Sequence, residues 1–285
     1  MKGHRKETVI HLLSLAVIFF VLIGTLFQIQ IPKTSKTAKG FTSFPTITPT
    51  PFEPFPYKIP KIPISKAYLT MLVGDSMVGS LGPNAQLLRQ HLIEYYPDHE
   101  FVNYNYGFGA TSIESLPERL TKETEYLGIK YPSILSQGFD LIIIESFAYN
   151  PLSQLKEGEG LNKHLKILNE SIRKIIKERP ESVVAVMTPI APSKDFFAKG
   201  IYDLTPAERK QWAEERINYI EAVIDYSNTN KIPLINVYEK SLTETGEADL
   251  KYINKDDSIH PSAEGLDLMG EVTAEFIYEN RIFPR

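Results

Sequence analysis

Not one of the 285 residues is cysteine, which excludes disulfides, thiolate zinc sites, iron–sulfur clusters and a lipid-modified N-terminal Cys. Positive charge is not in excess either. The 31 Lys and Arg against 35 Asp and Glu leave a formal net charge of -4, and no basic run interleaved with aromatics occurs in the second half, so no nucleic-acid partner is expected. The histidines are His4, His11, His91, His99, His164 and His260, with no pair at short ligand spacing. With thiolates missing as well, neither a metal nor another cofactor is expected. The phosphate-cradling Gly-x-x-x-x-Gly-Lys-Ser/Thr is absent, and so is the Gly-x-Ser-x-Gly of a strand-to-helix nucleophile elbow.

What is present begins with an uncharged apolar run at 12–27 (LLSLAVIFFVLIGTLF), which stays mostly apolar through Ile31. It has membrane length, and it leads into Gln28-Ile29-Gln30-Ile31-Pro32 rather than a small-x-small cleavage pattern. The reading is a short flank at 1–8 and an uncleaved transmembrane anchor at 9–31. Lys2, Arg5 and Lys6 precede the span and Lys33, Lys36 and Lys39 follow it, so charge alone does not orient it. Residues 32–65 are rich in proline and threonine and read as an extended spacer. Such tracts hold domains off an outer membrane face. The expectation is a single-pass membrane protein with its remaining domain, 66–285, extracytoplasmic.

In that domain short apolar runs alternate with helical periods. Strands are expected at 68–73, 101–104, 141–145, 183–187 and 232–237, and helices at 86–96, 161–179, about 206–226, and 263–278. Continuous apolar strands alternating with amphipathic helices predict an α/β domain, a central parallel sheet with helices on both sides.

In such a sheet, function gathers where strands end. The first exit reads Gly74-Asp75-Ser76-Met77, and the second Asn105-Tyr106-Gly107-Phe108-Gly109-Ala110-Thr111. The third runs from Glu145 to Asn150-Pro151, and Asp257-Ser258-Ile259-His260-Pro261 precedes the last helix. Together they meet the needs of acyl transfer: a hydroxyl nucleophile, an imidazole base, a carboxylate to fix its tautomer, and donors for an oxyanion. Singly, each also reads as a turn or a cap.

Gly74-Asp75-Ser76, Gly109, Asn150 and Asp257-x-x-His260-Pro261 resemble, in order and position, the four blocks of the SGNH (GDSL-like) hydrolase family, across essentially all of residues 66–285. The resemblance implies a three-layer α/β/α, flavodoxin-like fold and ester hydrolysis without a cofactor. Ser76 would be the nucleophile, and its N–H would join the Gly109 N–H and the Asn150 side chain in the oxyanion hole. His260 would be the base, oriented by Asp257. The third block departs from the family's Gly-x-Asn-Asp, reading Phe147-Ala148-Tyr149-Asn150-Pro151, and Gly107 competes with Gly109 for the second-block role.

The expected activity is hydrolysis of carboxylic esters through an acyl-enzyme on Ser76, with small-molecule or carbohydrate esters such as envelope O-acetyl groups as substrates. Two other readings use the same residues: a carbohydrate O-acyltransferase, and an inactive tethered binding domain. The segment 192–212, with Phe196, Phe197, Tyr202 and Trp212, reads either as a substrate wall or as ordinary loop packing. The sequence is silent on oligomeric state.

Overall fold

A computed structural model describes residues 53–156 and 158–285. The expected anchor at 9–31 and the spacer up to residue 52 lie outside the described residues, among which no helix is long and apolar enough to cross a membrane.

The strands are β1 (Ala67–Gly74), β2 (Glu100–Gly107), β3 (Thr124–Tyr126), β4 (Ile129–Tyr131), β5 (Leu141–Glu145), β6 (Val183–Met187) and β7 (Leu234–Ile235). Five of them form one parallel sheet in the order β2-β1-β5-β6-β7, while β3 and β4 form a separate antiparallel hairpin. β5 (LIIIE) and β6 (VVAVM) are buried along their whole length, because each has neighbours on both edges and side chains covered on both faces. Each fully buried Ile, Leu or Val in these runs contributes about 1.5–3 kcal/mol. The last strand is shorter than its apolar run implies. Pro233 removes a ladder donor, and the Asn236 side chain already accepts the Glu239 N–H to begin a helix.

The helices are α1 (Ser76–Gly79), α2 (Gln86–Tyr95), α3 (Leu116–Thr121), α4 (Glu159–Glu178), α5 (Pro206–Asn230), α6 (Val237–Lys240) and α7 (Ala263–Glu279). α4 buries Leu161, Leu165, Leu168, Ile172 and Ile175, a stripe at alternating spacings of four and three. α5 starts at a capping box in which Thr205 and Glu208 satisfy each other's backbone N–H, with Pro206 in the first turn. α2 packs against α7, and α4 against α5. From β1 the chain moves to β2 in one direction, and from β5 through β6 to β7 in the other. Right-handed crossovers then put α2 and α4 on opposite faces and open a crevice beyond the ends of β1 and β5.

The expected boundary at residue 66 needs correction. Residues 53–65 have no regular structure among themselves, yet Tyr57 and Ile62 belong to the hydrophobic core. The Tyr57 N–H donates to the Asn230 carbonyl at 2.8 Å, its hydroxyl accepts the Val184 N–H at 2.9 Å, and Arg173 lies over the Phe55 ring at 3.9 Å. An apolar Phe-Pro-Tyr segment laid against the start of β6 and the end of α5 finds burial there, and proline content alone does not reveal it.

Where β2 leaves the sheet it meets α1 backbone to backbone. A β-carbon at Gly107 would sit 2.2 Å from the Gly79 nitrogen and 2.6 Å from the Val78 carbonyl carbon, so only glycine permits the approach. Asn105 seals the same junction, donating to the Val78 and Gly82 carbonyls at 2.8 Å each and accepting the Gly107 N–H at 2.7 Å. Gly107→Ala is expected to lower unfolding stability by about 1–3 kcal/mol or more, because main chain on both sides must yield. Urea denaturation of the variant beside the parent protein measures this, and an unchanged midpoint would show that the junction is loose.

Candidate active site

β1 ends at Gly74, where a β-carbon would lie 2.6 Å from Val78 Cγ2 and 2.8 Å from Glu145 Cβ, so glycine here lets α1 turn tightly over the end of β5. Asp75 caps α1. Its Oδ1 accepts the Met77 N–H at 2.8 Å, and its Oδ2 accepts from Asn150 Nδ2 at 2.7 Å. Ser76 is the first residue of α1, so its own N–H has no partner within the helix and its side chain stands at the start of the turn. Asp75 therefore does two jobs that sequence reasoning did not assign to it: it fixes the turn that presents Ser76, and it holds Asn150 beside it.

The second exit resolves the two glycines. Gly107 is the packing residue described above. Gly109 faces the serine, since a β-carbon there would lie 3.6 Å from Ser76 Cβ. Its N–H, however, is already engaged: it donates to the Tyr126 hydroxyl at 2.8 Å. At the third exit Phe147 takes a left-handed conformation, φ +54, held by donation of its N–H to Glu145 Oε2 at 3.0 Å. The following turn closes with Asn150 N–H to the Phe147 carbonyl and aims the Asn150 amide at Asp75.

Asp257 and His260 form a self-contained unit. Asp257 Oδ1 accepts the N–H groups of Ile259 and His260 at 2.8 and 2.9 Å, and Oδ2 lies 2.7 Å from His260 Nδ1. Burial pushes the Asp257 carboxyl up. The hydrogen bonds from His260 and from the two backbone N–H groups outweigh it, and the net shift is downward. An ionised Asp257 accepts Nδ1–H, which leaves the neutral imidazole's Nε2 as a proton acceptor. His260 lies close enough to Asp75 that an imidazolium there would favour that carboxylate, which puts the pair at the Ser76 end of the sheet. Among the described residues no hydrogen bond joins the Ser76 hydroxyl to His260 directly.

Under the site are groups that no spacing in the sequence connects. Arg119, on α3, is buried; its Nη1 donates to the Gly74 carbonyl at 2.7 Å and the Tyr106 carbonyl at 3.0 Å. Its Nη2 bonds Thr111 Oγ1, and Ser115 Oγ at 2.8 Å. Burial lowers its pKa to about 10, which still leaves it charged at neutral pH, helped by the nearby Asp75. Glu145 is fully buried, and burial together with the Asp75 charge pushes its carboxyl well above the ordinary range. Asp75 is also raised by burial, but it has the Met77 and Asn150 donors and the Arg119 cation nearby. The proton therefore stays on Glu145. His164, fully buried, donates from Nε2 to the Ser146 carbonyl at 2.8 Å, and burial lowers its pKa to about 4.

These two groups give stability opposite pH dependences. The folded-state pKa of His164 lies below its ordinary 6.5, so its stabilisation is complete above pH 6.5 and is lost as pH falls towards 4, an effect of up to about 3 kcal/mol. Glu145 is raised, so its contribution is complete below the ordinary carboxylate pKa and is lost as pH rises. Urea midpoints followed against pH should show a shallower acid limb for His164→Gln and a flatter neutral limb for Glu145→Gln. Parallel curves for parent and variants would mean that neither group is held in the stated form.

No protein-family model matches the chain, and no curated protein matches it in sequence. Solved structures do match. A protein classed as a GDSL-like lipase from Parabacteroides merdae superposes with a TM-score of 0.57 at 16% identity, covering 79% of this chain and 100% of that one. A catalytic mutant of an acetylxylan esterase from Geobacillus stearothermophilus gives 0.52 at 15% identity, over 75% and 95% of the two chains. A GDSL-like lipase from Bacteroides thetaiotaomicron gives 0.50 at 14%, over 76% and 91%. The central parallel sheet, its flanking helices and these superpositions give the chain the fold of the GDSL-like (SGNH) hydrolases.

Proposed function

We propose that this protein is a membrane-anchored serine esterase that hydrolyses carboxylic esters through an acyl-enzyme on Ser76. The observation that carries this reading is the 2.7 Å Asp257–His260 pair, with a free Nε2, at the sheet end where α1 presents Ser76. The serine Oγ attacks the ester carbonyl carbon while its proton passes to His260 Nε2, and the imidazolium formed is stabilised by Asp257. Collapse of the tetrahedral intermediate expels the alcohol, which takes that proton. Water, deprotonated by the same imidazole, then releases the acid. Apo-state catalytic hydrogen bonds commonly close only around substrate, so the missing Ser76–His260 bond is compatible with this chemistry.

The Ser76 N–H and the second hydrogen of the Asn150 amide are the oxyanion donors of this reading; Asn150's first hydrogen, spent on Asp75, fixes its orientation. Substrates are carbohydrate or small-molecule esters, with acetyl groups favoured by the likeness to an acetylxylan esterase. The loop at 193–204 supports a substrate wall beside the histidine. Its Ala198 N–H donates to the Ser258 carbonyl at 3.1 Å, while Phe196 and Tyr202 are 38% and 52% exposed. The finer architecture, three α/β/α layers of flavodoxin type behind one transmembrane helix with an extracytoplasmic domain, belongs to the same proposal.

Full-length protein in detergent should hydrolyse p-nitrophenyl acetate faster than longer-chain esters, and Ser76→Ala should abolish turnover without unfolding. Near-normal rates in that variant would end the assignment. Asn150→Ala should lose on the order of a hundredfold in kcat. A loss of only a few-fold would move the oxyanion role to another donor.

A further inference from the structure

The Gly109 N–H, which the resemblance places in the oxyanion hole, is not free to serve there, because the Tyr126 hydroxyl accepts it at 2.8 Å. A phenol that accepts one hydrogen bond still has its own proton to give, and no acceptor for the Tyr126 O–H exists among the described residues. Its position is set by the same atoms that define the site: a β-carbon on Gly109 would lie 2.8 Å from Tyr126 Oη and 3.6 Å from Ser76 Cβ. The hydroxyl and the serine side chain thus border one small volume.

We propose that Tyr126 supplies the third oxyanion donor of this protein, its O–H standing in for the Gly109 N–H that polarises it. The inference rests on the reading of Ser76 as the nucleophile. An N–H donated to the phenol oxygen draws charge from it and strengthens the O–H as a donor, so the glycine acts one atom further out. Preorganisation is what makes such a donor effective, and Tyr126 is well fixed. Its ring stacks on Phe108 at 4.6 Å and 9°, and Phe108 lies beneath the Arg119 guanidinium at 4.2 Å. Tyr131, two residues beyond the hairpin turn, meets the same Phe108 edge-on at 4.7 Å and Tyr106 at 5.2 Å. The hairpin that carries Tyr126 turns at Leu127 and Gly128, both at positive φ, and pairs Tyr126 with Ile129. The donor is thereby borne on a β-ribbon clamped to the second strand exit rather than on a free loop.

The test compares full-length parent protein, Tyr126→Phe and Gly109→Ala, using a fluorophosphonate probe that phosphonylates the nucleophilic serine and, in parallel, p-nitrophenyl acetate. Tyr126→Phe keeps the stacked ring and removes only the hydroxyl. It should slow Ser76 phosphonylation and kcat by about 10²–10³-fold, the loss typical of one oxyanion donor, with KM within a few-fold. Gly109→Ala keeps the N–H but drives a methyl against the hydroxyl, and the same loss is expected. Equal or faster rates in the variants would overturn the proposal, because a hydroxyl that merely plugs the hole would release activity on removal. Parent protein whose Ser76 is not labelled would overturn the nucleophile reading and this inference with it, which distinguishes the two failures.

Discussion

Two main-chain carbonyls, those of Gly74 and Tyr106, reach the ends of β1 and β2 inside the protein, and one guanidinium binds both. That double contact with Arg119 ties the strand exit that presents the serine to the exit that carries Gly109. The cost is a desolvated cation. It is offset by four hydrogen-bond acceptors, by the Asp75 charge, and by the Phe108 and Phe147 rings at 4.2 and 5.5 Å. The turn at Asp75, the seat of Gly109 and the stacking of the hairpin are all referred to this buried ion. A lysine could not serve, since a point charge does not span two carbonyls and two hydroxyls as a planar fork does.

Charge is arranged with similar economy below the serine. Asp75 and Glu145 are close enough that ionising one opposes ionising the other, and the Arg119 cation nearby favours Asp75. The neutral Glu145 then acts as a polar brace, gripping Ser146 and the Phe147 N–H so that the third exit can hold a left-handed phenylalanine. His164 supports the same turn from α4 as a neutral imidazole. A single net negative group, Asp75, is thus left to orient Asn150.

How far the sequence discloses this differs from part to part. β5 and β6 are legible to the residue because fully buried parallel strands are written as unbroken Leu, Ile and Val. The candidate residues at the strand exits are legible too, through the order of their blocks rather than through any one spacing. Arg119 is not, since one arginine in Leu-Pro-Glu-Arg-Leu is indistinguishable from a solvated helix residue until α3 is seen to turn it inward. The β3–β4 hairpin is equally silent. Its strands are three residues long, and Leu127, at φ +50 and 79% exposed, occupies a position where a turn-forming Asn or Asp would have announced itself. Tyr126 is therefore visible only in three dimensions, whereas Gly109 is named from sequence and its engaged N–H is not.

The packing of residues 53–62 has a mechanical consequence. This segment is fastened to Asn230, Ser182 and Val184, that is, to the end of α5 and the beginning of β6. Strands in this sheet all run the same way, so their beginnings lie a strand's length, on the order of 16 Å, from the ends where Ser76 and Asn150 stand. Tension arriving along the preceding chain would be borne first by the Tyr57 and Phe55 contacts. Those would peel before any force reached the turn at Asp75, and the segment would work as a strain relief for the serine.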